Sequence, residues 1–243
     1  MLKTIYGRAF NVLMRKNLKL WGISLLYTVL TSVLVSLCGV AIPALGTAVA
    51  MLMGTSMLMI FLNGYRGEDV KVVDLFSCFK DWATIKRVVL GMAWMALWTF
   101  LWSLIPIVGP IFALIRTYEY RLTPYILVTE PEVPITEAIK VSKQRTEGYK
   151  LQMWLADIAW IVALVVVFIV LGLFAAIPVL GVLFVLALVV LLIAVALFAN
   201  LFAGLVQAAF YEEINKPDSF CTGCGARLEE GAKFCATCGK AVE

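Results

Sequence analysis

Histidine is absent from the chain. Its absence removes Ser-His triads, H-E-x-x-H metal sites and imidazole general bases, so only carboxylates, lysines or thiols remain for catalysis. None of these has a convincing partner in the sequence, and a non-enzymatic role is expected. Charge is scarce too. Charged residues make up 15% of the chain and hydrophobic residues 63%, against roughly 25% and 45–50% in a soluble domain. A water-soluble domain of 243 residues has no interior large enough for that much apolar surface. Charge is also missing locally: three short turns between long apolar runs contain none of the 20 lysines and arginines.

Those turns are copies of one motif: Ile42-Pro43-Ala44-Leu45-Gly46, Ile105-Pro106-Ile107-Val108-Gly109 and Ile177-Pro178-Val179-Leu180-Gly181. Each apolar run entering a copy begins near a tryptophan (Trp21, Trp82, Trp154), 21 to 23 residues upstream of the motif's Ile. A basic segment with helical apolar spacing precedes each Trp. This is one unit repeated at offsets of 63 and 72 residues: amphipathic segment, Trp, span, turn, span. Pro cannot continue the incoming helix and Gly frees the backbone for the return, so the motif predicts a hairpin turn. Residues 20–42, 45–62, 85–105, 110–128, 153–177 and 179–210 can each supply the roughly 20 residues a helix needs to cross the hydrocarbon core, the last being long enough to tilt or to project beyond the bilayer. The expected fold is therefore an all-α polytopic membrane protein with six transmembrane helices in three repeated hairpins. Helices are required because backbone in lipid must satisfy its own hydrogen bonds and the runs lack strand-type alternation. The membrane domain covers residues 1–213, with repeats at about 1–66, 67–130 and 131–213.

Lysine and arginine orient the spans. Five lie in residues 1–19, five in 63–87, four in 129–150 and four beyond 210; Arg116 and Arg121 sit inside the fourth expected span. The positive-inside rule places both termini and both long loops in the cytoplasm of a multi-pass plasma-membrane protein. The first apolar stretch, about 23 residues, exceeds the 7–15 of a signal peptide and is expected to be retained. Val35-Ser36-Leu37-Cys38 faintly resembles a lipoprotein signal, but Leu37 is too large for that cleavage. The basic segments read as interfacial helices on anionic lipid: Ile5, Ala9, Val12, Leu13 and Lys16; then Val72, Val73, Phe76 and Phe79; then Ile135, Ala138, Ile139 and Ser142. Ala199, Ala203, Gly204 and Ala208 form a small-residue stripe suited to close helix packing within the chain, and homo-oligomers remain open. Cys38 and Cys78 read as small apolar residues.

After Tyr211-Glu212-Glu213 the composition turns polar, and residues 214–243 form a separate module. Cys221-Thr222-Gly223-Cys224-Gly225 and Cys235-Ala236-Thr237-Cys238-Gly239 are two C-x-x-C-G knuckles ten residues apart. Cys221, Cys224, Cys235 and Cys238 supply four thiolates for a tetrahedral Zn²⁺ with no open position, a structural site. Two disulfides are the alternative, disfavoured by the reducing cytoplasm. A Zn²⁺ held by four thiolates adds about −2, lowering the formal charge from +4. Arg227, Lys233 and Lys240 face Glu229, Glu230 and Glu243 in number, which argues against nucleic acid and for a cytoplasmic protein partner.

Arg116, Glu119 and Arg121 follow Gly109 by roughly 10–18 Å of helix. Charges at such depth usually face a bundle interior or a wet cavity. Arg116, Glu119, Tyr120 and Thr123 share one face, and Arg121 points away with Tyr118 and Tyr125. The equivalent positions after Gly46 and Gly181 are Met53, Ser56, Leu58 and Leu188, Leu191, Ile193, so the hairpin itself does not require these charges. A shorter fourth span, with the charges at the inner interface, is the competing reading. Arg116, Glu119, Tyr120, Arg121 and Asp157 form the candidate intramembrane polar site, within which Asp157, one turn beyond Trp154, is shallower and reads as interfacial.

Leu101-Trp102-Ser103-Leu104, Tyr118, Tyr120, Pro124-Tyr125-Ile126-Leu127, Pro131, Glu137-Ala138-Ile139, Ser142, Lys143, Gly148-Tyr149-Lys150, Trp160 and Phe210-Tyr211-Glu212 resemble a family of bacterial integral membrane proteins known as domain of unknown function 975. The chain departs from that pattern at Glu130, Glu147 and Asp157. The knuckles resemble short zinc ribbons at the ends of bacterial membrane proteins. Neither resemblance implies a reaction. Two functions follow: a non-enzymatic membrane scaffold or regulator with a cytoplasmic zinc-binding docking module, or a carrier of a small solute or lipid using an intramembrane Arg116/Glu119 polar cleft.

Overall fold

The two turns that can be described, one after each of the first two apolar runs, set the pairing of the long helices. The computed structural model describes residues 2–14, 18–106, 108–175, 181–215, 234 and 236–241. Helix α1 (Leu2–Met14) precedes α2 (Leu18–Ala41). Ile42 is extended, at φ −146° and ψ 106°, and Pro43 opens α3 (Pro43–Arg66) in the first turn, where its missing N–H costs nothing. Gly46 is inside that helix. A Cβ there would lie 2.9 Å from the Cα of Gly39, so the glycine permits backbone contact across the hairpin. The second copy works alike: α4 (Trp82–Ser103) ends, and α5 (Gly109–Glu119) starts on a glycine whose Cβ would meet the Trp102 carbonyl at 2.8 Å. In both copies the glycine serves close approach; neither has positive φ. The third copy, but for Gly181, lies outside the described residues.

Asp81 caps α4, accepting bonds from the amide and the hydroxyl of Thr84, both at 2.7 Å; these hold its carboxyl below the usual carboxylate range. The remaining helices are α6 (Thr123–Thr129), α7 (Ala138–Arg145), α8 (Lys150–Ala175) and α9 (Gly181–Ile214). Helices α2 with α3, α4 with α5, and α8 with α9 pack against each other, while α3 and α9 also touch each other and α1. The core gathers on α3 (Met53, Met57, Ile60, Phe61), α6 (Leu122 at its edge, Tyr125, Ile126) and the second half of α9 (Leu201, Leu205, Ala209). Gly204 makes this possible: its Cβ would fall 2.1 Å from the Phe61 ring. Gly204 and Ala208 of the small-residue stripe are buried within the chain, whereas Ala203 is exposed.

The outer faces of α2, α4 and α8 carry exposed Val29, Val33, Leu37, Leu97, Phe100, Val162 and Ile169. Exposed apolar surface of this extent is unfavourable in water and neutral in hydrocarbon. Among the described residues, four helical stretches are long and apolar enough to cross a membrane: Lys19–Val40, Pro43–Arg66, Trp82–Ser103 and Lys150–Leu173. At 22 to 24 residues each, they measure roughly 33–36 Å, consistent with a membrane location.

Three expectations change. The expected fourth span, residues 110–128, is not one helix: α5 has 11 residues, α6 has 7, and the chain turns between them. Pro124 supplies the local reason, since it cannot donate to the Tyr120 carbonyl and its ring clashes there. The segment at 69–81 also turns differently. Val72–Phe79 is a 3₁₀ helix, so three rather than 3.6 residues make a turn. Leu75 and Cys78 are buried, while Val72, Val73 and Phe76 point outward. The faces of α1 (Ile5, Ala9, Leu13) and α7 (Ala138, Ile139, Ser142) keep their helical spacing but are buried within the protein rather than laid on lipid, because α1 packs on α9 and α7 on α6.

Candidate functional site

The break between α5 and α6 leaves backbone groups without helical partners, and side chains from elsewhere bind them. Ser142 Oγ donates to the Glu119 carbonyl at 2.7 Å and accepts from the Leu122 N–H at 3.2 Å. Thr146 Oγ1 also reaches the Glu119 carbonyl, at 3.3 Å. Gln207, from α9, donates to the Arg121 carbonyl at 3.3 Å. The amides of Arg121 and Thr123 close short turns onto Tyr118 and Tyr120. Helices α7 and α9 therefore hold the break open in one shape.

Charged side chains cluster around it. Arg116 bonds the Glu119 carboxylate, as the i,i+3 spacing predicts. Lys150 Nζ donates to the other Glu119 oxygen at 2.6 Å. The Glu119 side chain is only 5% exposed, and Arg116 lies over the Trp102 ring at 4.7 Å. Lys150 is the first residue of α8. The trio is thus buried in protein, yet sits at the end of a candidate span. Tyr120 is buried beside it.

Arg121 does not stand apart. Its Nη1 and Nη2 bond both oxygens of Asp157, at 2.6 and 3.2 Å. Tyr118 donates its hydroxyl to the same carboxylate at 3.1 Å. Asp157, read as the shallow, interfacial member of the candidate site, is the anchor of a bidentate pair between the break and α8. Arg121 and Asp157 line a cleft of about 710 Å³ with Tyr118, Tyr120 and Gln207 on the break side and α4 opposite. Arg116 and Glu119 are not among its lining residues. Trp102 and Lys150 flank that pair, while Tyr120, Arg121 and Asp157 of the same candidate polar site line the cleft.

A second set of contacts fastens the end of α9. The Tyr211 ring stacks on Tyr125 at 4.5 Å, and its hydroxyl lies 3.0 Å from Thr129 Oγ1. Glu212 pairs with Arg66 at 2.6 Å and Glu213 with Arg8 at 3.3 Å. Asn215 accepts from Arg145 at 2.9 Å, and Arg145 grips Glu130 with its other nitrogen at 2.8 Å. Arg87 closes the neighbouring loop by donating to the carbonyls of Leu127 and Glu130, each at 2.7 Å. Side chains from α1, α3, α6 and α7 thus meet on the last turn before the polar module.

Sequence spacing found Arg116 with Glu119 but missed Lys150, Ser142, Thr146 and Gln207. Gln207 had a signal as a polar residue within an apolar run; Ser142 and Lys150 stood among the residues that resemble the membrane family, with no role assigned to them at this site.

Of the knuckle cysteines, Cys221, Cys224 and Cys235 lie outside the described residues. Cys238 is exposed, in a turn over residues 236–238. Gly239 follows with φ 72°, and Phe234 bridges antiparallel to Ala241. That is the backbone a C-x-x-C-G knuckle needs, with glycine in the left-handed region beneath the thiolates. Among the described residues, no three acidic, Cys or His groups gather as a metal site. No curated protein and no solved structure matches the chain. A family model does match its end: residues 220–242 match the model of a zinc-ribbon domain.

Proposed function

We propose that the protein is a non-enzymatic membrane scaffold or regulator that presents a cytoplasmic zinc ribbon to a protein partner. The observation that carries this reading is the fastening of Tyr211, Glu212, Glu213 and Asn215 by four other elements. A rigid exit from the bilayer immediately before a small ribbon suits a docking module held at a defined place. The charges at the helix break support the same reading, since Glu119, Arg116, Lys150, Arg121 and Asp157 pair with one another.

In this reading Cys221, Cys224, Cys235 and Cys238 hold a structural Zn²⁺ that supplies most of the ribbon's folding energy. Six crossings in three repeated hairpins place both termini in the cytoplasm, with α5 and α6 together making a broken fourth crossing and α9 the sixth. Broken helices are tolerated at membrane depth where protein buries the freed backbone. Of the residues that resemble domain of unknown function 975, Tyr118, Tyr120 and Pro124 lie at this break, and Ser142 and Lys150 bond to Glu119 beside it. The alternative, a carrier, is favoured by one observation, the 710 Å³ cleft, and would use Arg121 and Asp157 rather than Arg116 and Glu119.

A photo-crosslinking residue at Glu229 tests the docking role in cells. Adducts with a cytoplasmic protein that vanish in Cys224→Ser support it. Adducts confined to lipid or to the chain itself contradict it.

A further inference from the structure

The cleft beside the break has a chemistry that the scaffold role does not use. On its α4 and α5 sides, Met95, Phe100 and Leu114 are apolar. The hydroxyls of Thr99, Ser103 and Thr117 donate to their own helices, at 2.9, 2.6 and 2.9 Å to the carbonyls of Met95, Phe100 and Ala113. Those walls offer almost no free donor and suit hydrocarbon. The polar end is the pair of Arg121 and Asp157, whose side chains remain 19% and 33% exposed. Around the cleft, α4 and α5 turn Leu97, Leu101, Ile111 and Ile115 outward. A ligand arriving through that surface comes from among acyl chains.

We propose that the cleft binds a phospholipid with a zwitterionic, primary-ammonium headgroup, its acyl portion lying along α4. The volume of about 710 Å³ is within the roughly 300–1,000 Å³ of small-ligand sites. One cation and one anion stand side by side at the polar end. Asp157 Oδ1 accepts a single bond, leaving lone-pair capacity, and the pair engages Arg121 through Nη1 and Nη2. An ammonium on Asp157 and a phosphate on Arg121 therefore add one charge of each sign and leave neither side chain uncompensated. An anionic headgroup would place a second negative charge beside Asp157. A quaternary ammonium has no N–H to donate to the carboxylate. Charge complementarity thus selects phosphatidylethanolamine over phosphatidylglycerol, and the ammonium N–H donors select it over phosphatidylcholine. This site is independent of the ribbon's role.

The test uses the full chain, delipidated in detergent and mixed with equal amounts of the three lipids, with retained lipid read by native mass spectrometry. Phosphatidylethanolamine should be retained in preference. Asp157→Asn should reduce that retention by about tenfold, the scale of one hydrogen bond to a charged group, without reducing retention of phosphatidylglycerol. Ala96→Trp fills the cleft without touching the ion pair, and should lower retention even if Asp157→Asn fails to fold. Equal retention of all three lipids by the wild-type chain overturns the proposal, as does unchanged retention in Ala96→Trp. Displacement of the lipid by free glycerophosphoethanolamine would assign the site to a water-soluble zwitterion instead, and also overturn it.

Discussion

Glu119 carries the sharpest energetic consequence of any single residue. Two cations converge on a carboxylate that is 5% exposed, so Glu119→Gln leaves Arg116 and Lys150 without their counter-charge. Breaking a buried pair from one side costs about 3–5 kcal/mol, and thermal unfolding in detergent should show a loss of that order. Lys150 is 32% exposed and can turn towards water. The double change Arg116→Met with Glu119→Leu should accordingly recover most of the stability, since apolar residues pack beside Trp102. An unfolding midpoint unchanged by Glu119→Gln would show the carboxylate to be solvated. This pair was legible because three-residue spacing on a helix puts two side chains together. Lys150, separated from Glu119 by 31 positions, and Asp157, 36 from Arg121, were not. No local rule says which loop will fold back onto a break.

Among the elements, the broken helix and α9 depend on side chains that do opposite things. Ser142 adds hydrogen bonds at the break, and Ser142→Ala should leave the Leu122 N–H unsatisfied and cost about 1–3 kcal/mol. Gly204 works by absence. Gly204→Ala forces the Phe61 ring aside and should cost about 1–3 kcal/mol by overpacking. Phe61→Leu introduced with it should relieve part of that cost, whereas additive losses would show that the two helices do not meet there. The long helices were readable from uninterrupted apolar length, which needs no knowledge of partners. The break was not: Pro124 is a local signal, but proline is also found near helix starts, and only packing by α7 and α9 decides which applies. The 3₁₀ winding of Val72–Phe79 was not legible, because a period of 3.6 was applied where the chain winds at three, although Val72, Val73 and Phe76 are exposed as a lipid-facing side requires.

For the molecule as a whole, the proposed function gives the membrane part and the ribbon different sources of stability, apolar packing in one and metal in the other. Chelation, or Cys224→Ser, should remove zinc and expose residues 220–243 to protease while the membrane part keeps its unfolding midpoint. Loss of both together would contradict the division. The knuckles were legible because four cysteines at fixed spacing specify their own chemistry. The fastening of α9 was not, because Arg8, Arg66 and Arg145 reach it from three distant segments.

The central claim, a six-crossing scaffold with a broken fourth helix and an inward ribbon, is tested most directly by cysteine accessibility. In intact cells carrying Cys38→Ala, single cysteines at Ala44, Ile107 and Val179 should react with a membrane-impermeant maleimide added outside. One at Asp218 should react only after the cells are opened. Labelling of Asp218 from outside, or of Ile107 only from inside, would contradict the account.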